Sequence, residues 1–433
     1  MKIGVLTLGC PKNLADMANF KGILKKRGHR IVDNALDADV MIIDTCGFIE
    51  EAKKESIEEI LGFCSLKEDK PSLRVIAVGC LVQRYFNELK EEIPELDGLV
   101  GVTSPKKLAD LIENGTFFYL DEPDGVYSFE VREKSETYAY VKIGDGCDRN
   151  CAFCSIPAFK GRSRSRKLED IITEIKGLIS NGTKEIILVS QDTTQYGIDL
   201  YNKQTLPELL KHIDKLEGEF WVRVMYLHPD HLTADIIDTM AVSRKVVKYF
   251  DVPVQSGSNA ILQSMGRWRK REELIQLFQE IRNRIPEAVL RTTIMVGFPG
   301  ETQDSFAETL EFVRQVRFNK LGGFVYSPEE GTKAYNMGLT MDKEVAFKLL
   351  EQLLEEQEQI SYELNRKFLN KRLKVLVEEM NEEFLVGRSW HFSPEIDGNI
   401  FVKGRGKPGE YVEALITEAY ENDLEGVVVD EHT

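Results

Sequence analysis

Three apolar runs in the first eighty residues, IGVLTLGC, ADVMIIDTC and LRVIAVGC, each stop at a cysteine, and helix-period stretches such as NFKGILKKRG and EEAKKESIEEILGFC lie between them. Short β-type runs alternating with amphipathic helices, at about 35 residues per unit, predict a parallel β-α-β-α-β sheet. The carboxyl ends of parallel strands share one edge, where ligand sites form. Cys10, Cys46 and Cys80 are therefore expected to converge. Cys64 differs, because it completes the stripe Ile57, Ile60, Leu61, Cys64 of a helix and reads as core packing.

Strand-like runs continue through the middle of the chain as YAYVKI, EIILVSQ, FWVRVMY, VKYFDVPVQ, VLRTTIMVGF and LGGFVYS. Six such runs with helices between them predict an incomplete, TIM-like β/α barrel whose working face lies at the strands' carboxyl ends. Polar residues collect there: a cysteine loop after the first run, Gln191 and Asp192 after the second, Gln255 and Ser256 after the fourth, Gly297 to Glu301 after the fifth. Arg223 shares a pleat face with Trp221 and Met225, where an unpaired charge would be costly. It must meet an anion, either a bound group or a buried ion-pair partner. A long amphipathic helix then runs from MDKEVAFKLL to about Leu369. The short runs LKVLVEEM, EFLVGRSW, NIFVKG, YVEALITEAY and EGVVVD that follow predict a small antiparallel β-barrel of about 60 residues. The fold class is α/β, in three domains over residues 1–125, 133–365 and 366–433.

The cysteines change this picture from fold to chemistry. Cys147, Cys151 and Cys154 lie in GDGCDRNCAFCSIP, a polar loop that offers no core to fill. This compact set and the dispersed set of Cys10, Cys46 and Cys80 are each one ligand short of a closed four-cysteine cage. Structural zinc normally takes four ligands. A four-iron cluster on three thiolates instead keeps one iron open for chemistry, whereas electron carriers are usually closed by four.

Composition sets bounds. A chain of 433 residues with 42% hydrophobic content has ample material for about three packed cores. The leading apolar run, six residues long, is too short for a signal peptide or a membrane span, so a cytoplasmic protein with reduced thiols and no membrane partner is expected. Net charge is −16, and each expected domain is acidic; residues 366–433 carry nine basic and fourteen acidic side chains. A nucleic-acid-binding protein usually shows a basic domain or stripe, and none appears at that scale. Locally, KGRSRSRK at 160–167 holds five basic residues in eight, either a phosphate-facing patch or a solvated helix entry.

Spaced Cys-x-x-x-Cys-x-x-Cys with Phe153 before the last cysteine, the loop resembles the signature of radical S-adenosylmethionine enzymes. The likeness covers the whole chain: a three-cysteine domain, a radical domain and a terminal barrel, in that order, resemble the methylthiotransferases, whose last domain is called TRAM. LTLGCPKN, YSPEEGT and SPEIDG are similar to the members that modify ribosomal protein S-twelve, more than to the transfer RNA enzymes, which usually show Gln-Met-Asn after the first cysteine. Asp16-Met17-Ala18 stands where the family often has Asp-Ser-Glu, and PVQSGSN resembles the RNA-modifying branch.

The resemblance implies two 4Fe-4S clusters, S-adenosylmethionine and an electron donor. Cys147, Cys151 and Cys154 would hold the cluster that binds and cleaves the cofactor, with Phe153, Gln191, Arg223 and Gln255 as candidates to hold the cofactor itself. Its target, the β-carbon of an aspartate, carries a C–H bond that no side-chain base can deprotonate, so a radical is needed. The second cluster, on Cys10, Cys46 and Cys80, would supply the sulfur and deliver methylthio. The basic ribosomal protein is expected to dock on acidic residues of the barrel, Glu395 and Asp397 among them, and deleting the barrel to abolish modification while sparing cofactor cleavage. Three other readings are a transfer RNA (adenosine) methylthiotransferase, whose phosphates the acidic barrel and Glu329-Glu330 would repel, a non-enzymatic iron-sulfur carrier or scaffold, and a zinc protein without visible colour.

Overall fold

The computed structural model describes residues 1–132 and 137–429. The expected start of the second domain at residue 133 and the end of the third at 433 lie outside the described residues. The N-terminal sheet is parallel throughout, in the order Arg30–Ile31, Lys2–Thr7, Val40–Thr45, Arg74–Gly79, Gly98–Val100, Phe118–Tyr119. Its central strand Val40–Thr45 is buried at every position, as a parallel strand covered by helices on both faces must be. Runs of two or three residues are too short to show a period, so the three outermost strands left no pattern in the sequence. Cys64 is buried beside Ile60, whereas Leu61 of the same expected stripe is 49% exposed.

Six parallel strands form the middle domain. Tyr138–Lys142, Glu185–Val189 and Trp221–Val224 pair in chain order, as do Tyr249–Asp251, Val289–Val296 and Lys320–Val325. A bridge from Val222 to Val246 brings the two groups side by side. Among the described residues the first and last strands do not pair, so the barrel is open. Inside it, Tyr140, Ile187, Val189, Met225 and Tyr249 pack together, while the helices close over the much larger outer core.

After the helix Lys343–Asn365 the chain forms a closed barrel of five strands: Arg372–Met380, Leu385–Arg388, Ile400–Lys403, Leu424–Val428 and Tyr411–Ala419. One pair, Ile400–Lys403 with Leu424–Val428, is parallel, so the barrel is not antiparallel throughout. Hydrophobic runs encode which residues face inward but not strand direction.

The small barrel plugs the radical barrel at the end opposite the cysteines, and this settles Arg223. Its guanidinium is fully buried, pairs with Glu185 at 2.7 Å, and donates to the carbonyls of Trp390 and Phe392 in the small barrel at 3.1 and 3.0 Å. Glu185 also takes Arg388 at 2.8 Å. The anion that Arg223 meets is thus an internal carboxylate. Glu395 and Asp397 are committed likewise: Glu395 accepts from the hydroxyls of Tyr138 and Tyr140 at 2.7 and 2.9 Å, and Asp397 accepts from Tyr249 at 2.6 Å. Asp397 is therefore not available for docking a partner. Deleting the barrel would uncover the Glu185–Arg223 pair and the aromatic floor of the radical domain.

The basic run 160–167 is a solvated helix entry only in part. Arg166 is buried against Glu174 at 2.7 Å, Lys160 is buried near Asp145 at 3.4 Å, and Arg164 donates to the carbonyl of Pro123. Arg162 and Lys167, the latter at the N-cap of the helix Leu168–Ser180, stand in solvent.

Candidate active site

At the upper edge of the N-terminal sheet, each of three long strands ends and its cysteine follows. Cys10 caps the helix Pro11–Lys26 and Cys80 opens the helix Cys80–Glu92, placing both thiols where the helix dipole favours negative charge. Two glycines show how closely the loops meet. Gly9 has φ of +95°, and a Cβ there would sit 2.9 Å from Cys46 Cβ; at Gly47 it would sit 2.8 Å from the Leu81 amide nitrogen and 2.9 Å from the Cys80 carbonyl carbon. No side chain fits between the three cysteine loops.

The compact set sits in the loop after the first strand of the radical barrel, which is pinned on several sides. Cys147 N–H donates to Gly161 at 3.1 Å, Ala152 N–H to Met265 at 2.9 Å, and Ala334 N–H to Ala152 at 2.8 Å. Burial pushes the thiol of Cys46 up to about 11, and those of Cys80, Cys147 and Cys154 up to about 12. Thiols held so high become thiolates near neutral pH only when a cationic centre replaces the proton. Among the described residues no three His, Cys, Asp or Glu side chains are grouped to hold one metal ion.

Both cysteine sets line the same cavity of about 380 Å³ at the top of the radical barrel. Phe153, Gln191 and Gln255 line it too; Arg223 does not. Gln191 donates to Asp145 at 2.7 Å and leaves its Oε1 buried without a partner, and Gln255 Oε1 is also buried and unpartnered. Gln255 has φ of +78°, rare for a residue with a side chain and a mark of a site where the fold imposes the backbone. Phe153 meets Phe298 edge-on with centroids 6.5 Å apart, and Phe298 meets Tyr326 in the same way at 5.6 Å, giving the cavity an apolar wall.

Sequence reasoning missed several lining residues: Lys12, Tyr226, His228, Asp251, Arg267 and Arg291. Lys12 and Asp251 had a usable signal, the first lying two residues after a cysteine and the second ending a strand; Arg267 sits in a loop with none. Glu329 also lines the cavity but repels nothing, because Arg84 at 2.8 Å and Lys53 at 3.0 Å, both from the N-terminal domain, neutralise it. A second buried bridge joins the same two domains through Lys142, 2.6 Å from Asp16 and 3.4 Å from Asp145. The two lysines near Asp145 outweigh its burial and hold its carboxyl well below the usual range.

Residues 2–101 match the model of uncharacterized protein family UPF0004, residues 141–313 that of the radical SAM superfamily, and residues 371–429 that of the TRAM domain. The chain is 54% identical over 431 residues to ribosomal protein uS12 methylthiotransferase RimO of Thermotoga maritima, a match spanning 99% of this chain and 100% of the relative. The protein of the same name from Thermosipho melanesiensis is 53% identical, with all of both chains covered. The chain belongs to the RimO family. Membership in the RimO family and the radical SAM superfamily implies a 4Fe-4S cluster and S-adenosylmethionine. In fold, this RimO-family chain is similar to the radical S-adenosylmethionine methyltransferase TsrM of Kitasatospora setae, with a TM-score of 0.57 at 13% identity over 76% of each chain. No helix among its described residues is long and apolar enough to cross a membrane.

Proposed function

We propose that this chain transfers a methylthio group to the β-carbon of an aspartate in ribosomal protein uS12, with one 4Fe-4S cluster on Cys147, Cys151 and Cys154 and a second on Cys10, Cys46 and Cys80. The observation that carries this reading is the opening of both three-cysteine sets into one cavity. A carrier or scaffold needs no such shared room, and two separate jobs on one carbon atom do. When bound, the groups supply a carbon-centred radical on one side of the cavity and a methylated sulfur on the other.

The chain's own residues do the rest. The crowding at Gly9 and Gly47 fixes the dispersed cysteines against one another, and the pinned loop fixes the compact ones. Gln191 and Gln255 each offer a buried, unpartnered amide oxygen, suited to accept hydrogen bonds from the cofactor's ammonium or hydroxyl groups. Phe153 lays an apolar face beside them and keeps water from the reacting centre. Gln255→Ala is expected to weaken S-adenosylmethionine binding about tenfold, the loss of roughly one buried hydrogen bond. Equilibrium binding to the iron-loaded protein measures this; an unchanged affinity would remove Gln255 from the cofactor site.

A basic ribosomal protein also suits a chain of net charge −16. The deciding experiment incubates the anaerobically reconstituted enzyme, reductant and S-adenosylmethionine with uS12 and, separately, with transfer RNA. Mass analysis is expected to find a methylthio gain on uS12 and none on the RNA. The opposite result would overturn the reading.

A further inference from the structure

Among the described residues five cationic side chains line the cavity between the two cysteine sets, and three of them are spent on carboxylates of the chain itself. Arg149 pairs with Asp192 at 2.9 Å, Arg291 with Asp251 at 2.9 Å, and Lys160 lies 3.4 Å from Asp145. Arg267 donates to the neutral ring of His228 at 2.5 Å and sits on the Phe153 side, 5.9 Å from that ring. Lys12 is the remaining one. It is nine-tenths buried, lies two residues beyond Cys10, and reaches across to the radical barrel, where its ammonium stands 4.3 Å above the ring of Tyr226. Among the described residues it makes no ion pair and no hydrogen bond to a carboxylate.

The groups that favour its charge are Cys10, Tyr226 and, less strongly, Asp145; a buried ammonium with no carboxylate in contact is costly, and an aromatic face compensates it only in part. Tyr226 is itself held at φ of +60°, an outlier for an aromatic residue, with its amide fixed on Asp251 at 2.9 Å. The fold thus sustains strain to keep a ring under this one lysine. Resting on the function proposed above, the target carbon must lie within reach of both cysteine sets, and the aspartate carboxylate is bonded to that same carbon. Lys12 spans the same gap.

We propose that Lys12 is the specificity-determining residue for the target side chain, its ammonium pairing with the carboxylate of the aspartate to be modified. A carboxylate can make a charge-assisted pair with this ammonium, and the neutral amide of an asparagine cannot. Arg267, on the opposite side, remains available to the cofactor.

The test uses the full-length enzyme loaded with iron and S-adenosylmethionine, without reductant, and measures its affinity for uS12 carrying either the target aspartate or asparagine at that position. The parent is expected to favour aspartate by about tenfold or more, in keeping with a charge-assisted pair. Lys12→Met, which keeps the length of the stem, should bring the ratio close to one, and Lys12→Arg should restore most of the preference. With reductant, the loss in Lys12→Met should appear mainly in KM for the ribosomal protein. Preference for aspartate surviving in Lys12→Met would overturn the assignment, and so would a fall of bound iron by half, which would give Lys12 to the neighbouring cluster. A parent enzyme that neither binds nor modifies uS12 in either form sinks the proposed function itself, a result distinct from both.

Discussion

Cys151→Ala is expected to abolish deoxyadenosine production completely while leaving iron on the N-terminal domain, and Cys46→Ala to abolish methylthio product while deoxyadenosine still forms. The two sets lie on different domains and in different kinds of loop, so losing one thiolate from either should unload that site alone. Cys151 belongs to the loop pinned through Gly161, Met265 and Ala334, all of them outside the N-terminal sheet. Cys46 packs on Gly9 within the sheet edge, so alanine there removes a ligand without adding bulk. Iron content, deoxyadenosine and modified uS12 are measured for each variant under strong reductant. Methylthiolated product from Cys46→Ala at near the parent rate would make the dispersed set structural and end the two-site mechanism.

The second large effect concerns stability. Glu185 stands between two buried guanidiniums, Arg223 at 2.7 Å and Arg388 at 2.8 Å, and all three side chains are essentially inaccessible. Glu185→Gln keeps the shape and removes the charge, leaving buried Arg223 without a carboxylate while Arg388 keeps Glu378 at 2.9 Å; breaking such a buried pair costs roughly 3–5 kcal/mol. Burial alone would raise the carboxyl of Glu185, but Arg223 and Arg388 prevail and hold it below the ordinary glutamate value. A depressed pKa in the fold contributes stability in full above the unfolded value of about 4.3 and loses it as pH falls through the lower, folded value. The parent should therefore weaken below about pH 4, and the Gln variant should lack that share of the acid sensitivity. Trp221 and Trp390 sit at this junction, so urea unfolding followed by their fluorescence reads it directly. A Gln variant within about 1 kcal/mol of the parent, the size of a surface change, would refute the account.

Why some of this was legible in the sequence and some was not follows from the range of the interactions. The six cysteines could be grouped because an apolar run and its break are local events, and the same holds for all six strands of the radical barrel. Arg223 could be read only as needing an anion, since Glu185 is 38 residues away and the carbonyls it meets lie more than 160 residues away. Asp397 looked like a surface acid until the barrel's seat on Tyr249 came into view. Lys12 and Arg267 illustrate the same limit. Their meaning lies in which carboxylates their neighbours have already taken, and no spacing along the chain records that.

The two ion-pair bridges between the sheet domain and the radical barrel, Arg84 and Lys53 on Glu329 and Lys142 on Asp16, also bear on timing. They tie the sheet domain to the wall of the radical barrel on two sides of the cavity, which opposes a swinging motion of one against the other. What moves must be the small molecules: spent fragments of one cofactor have to leave, and the next has to enter, through an opening whose frame stays still. Exchange at the doorway is therefore expected to pace turnover, so a viscogen should slow the whole cycle, and a rate unchanged by viscosity would place the slow step in the chemistry.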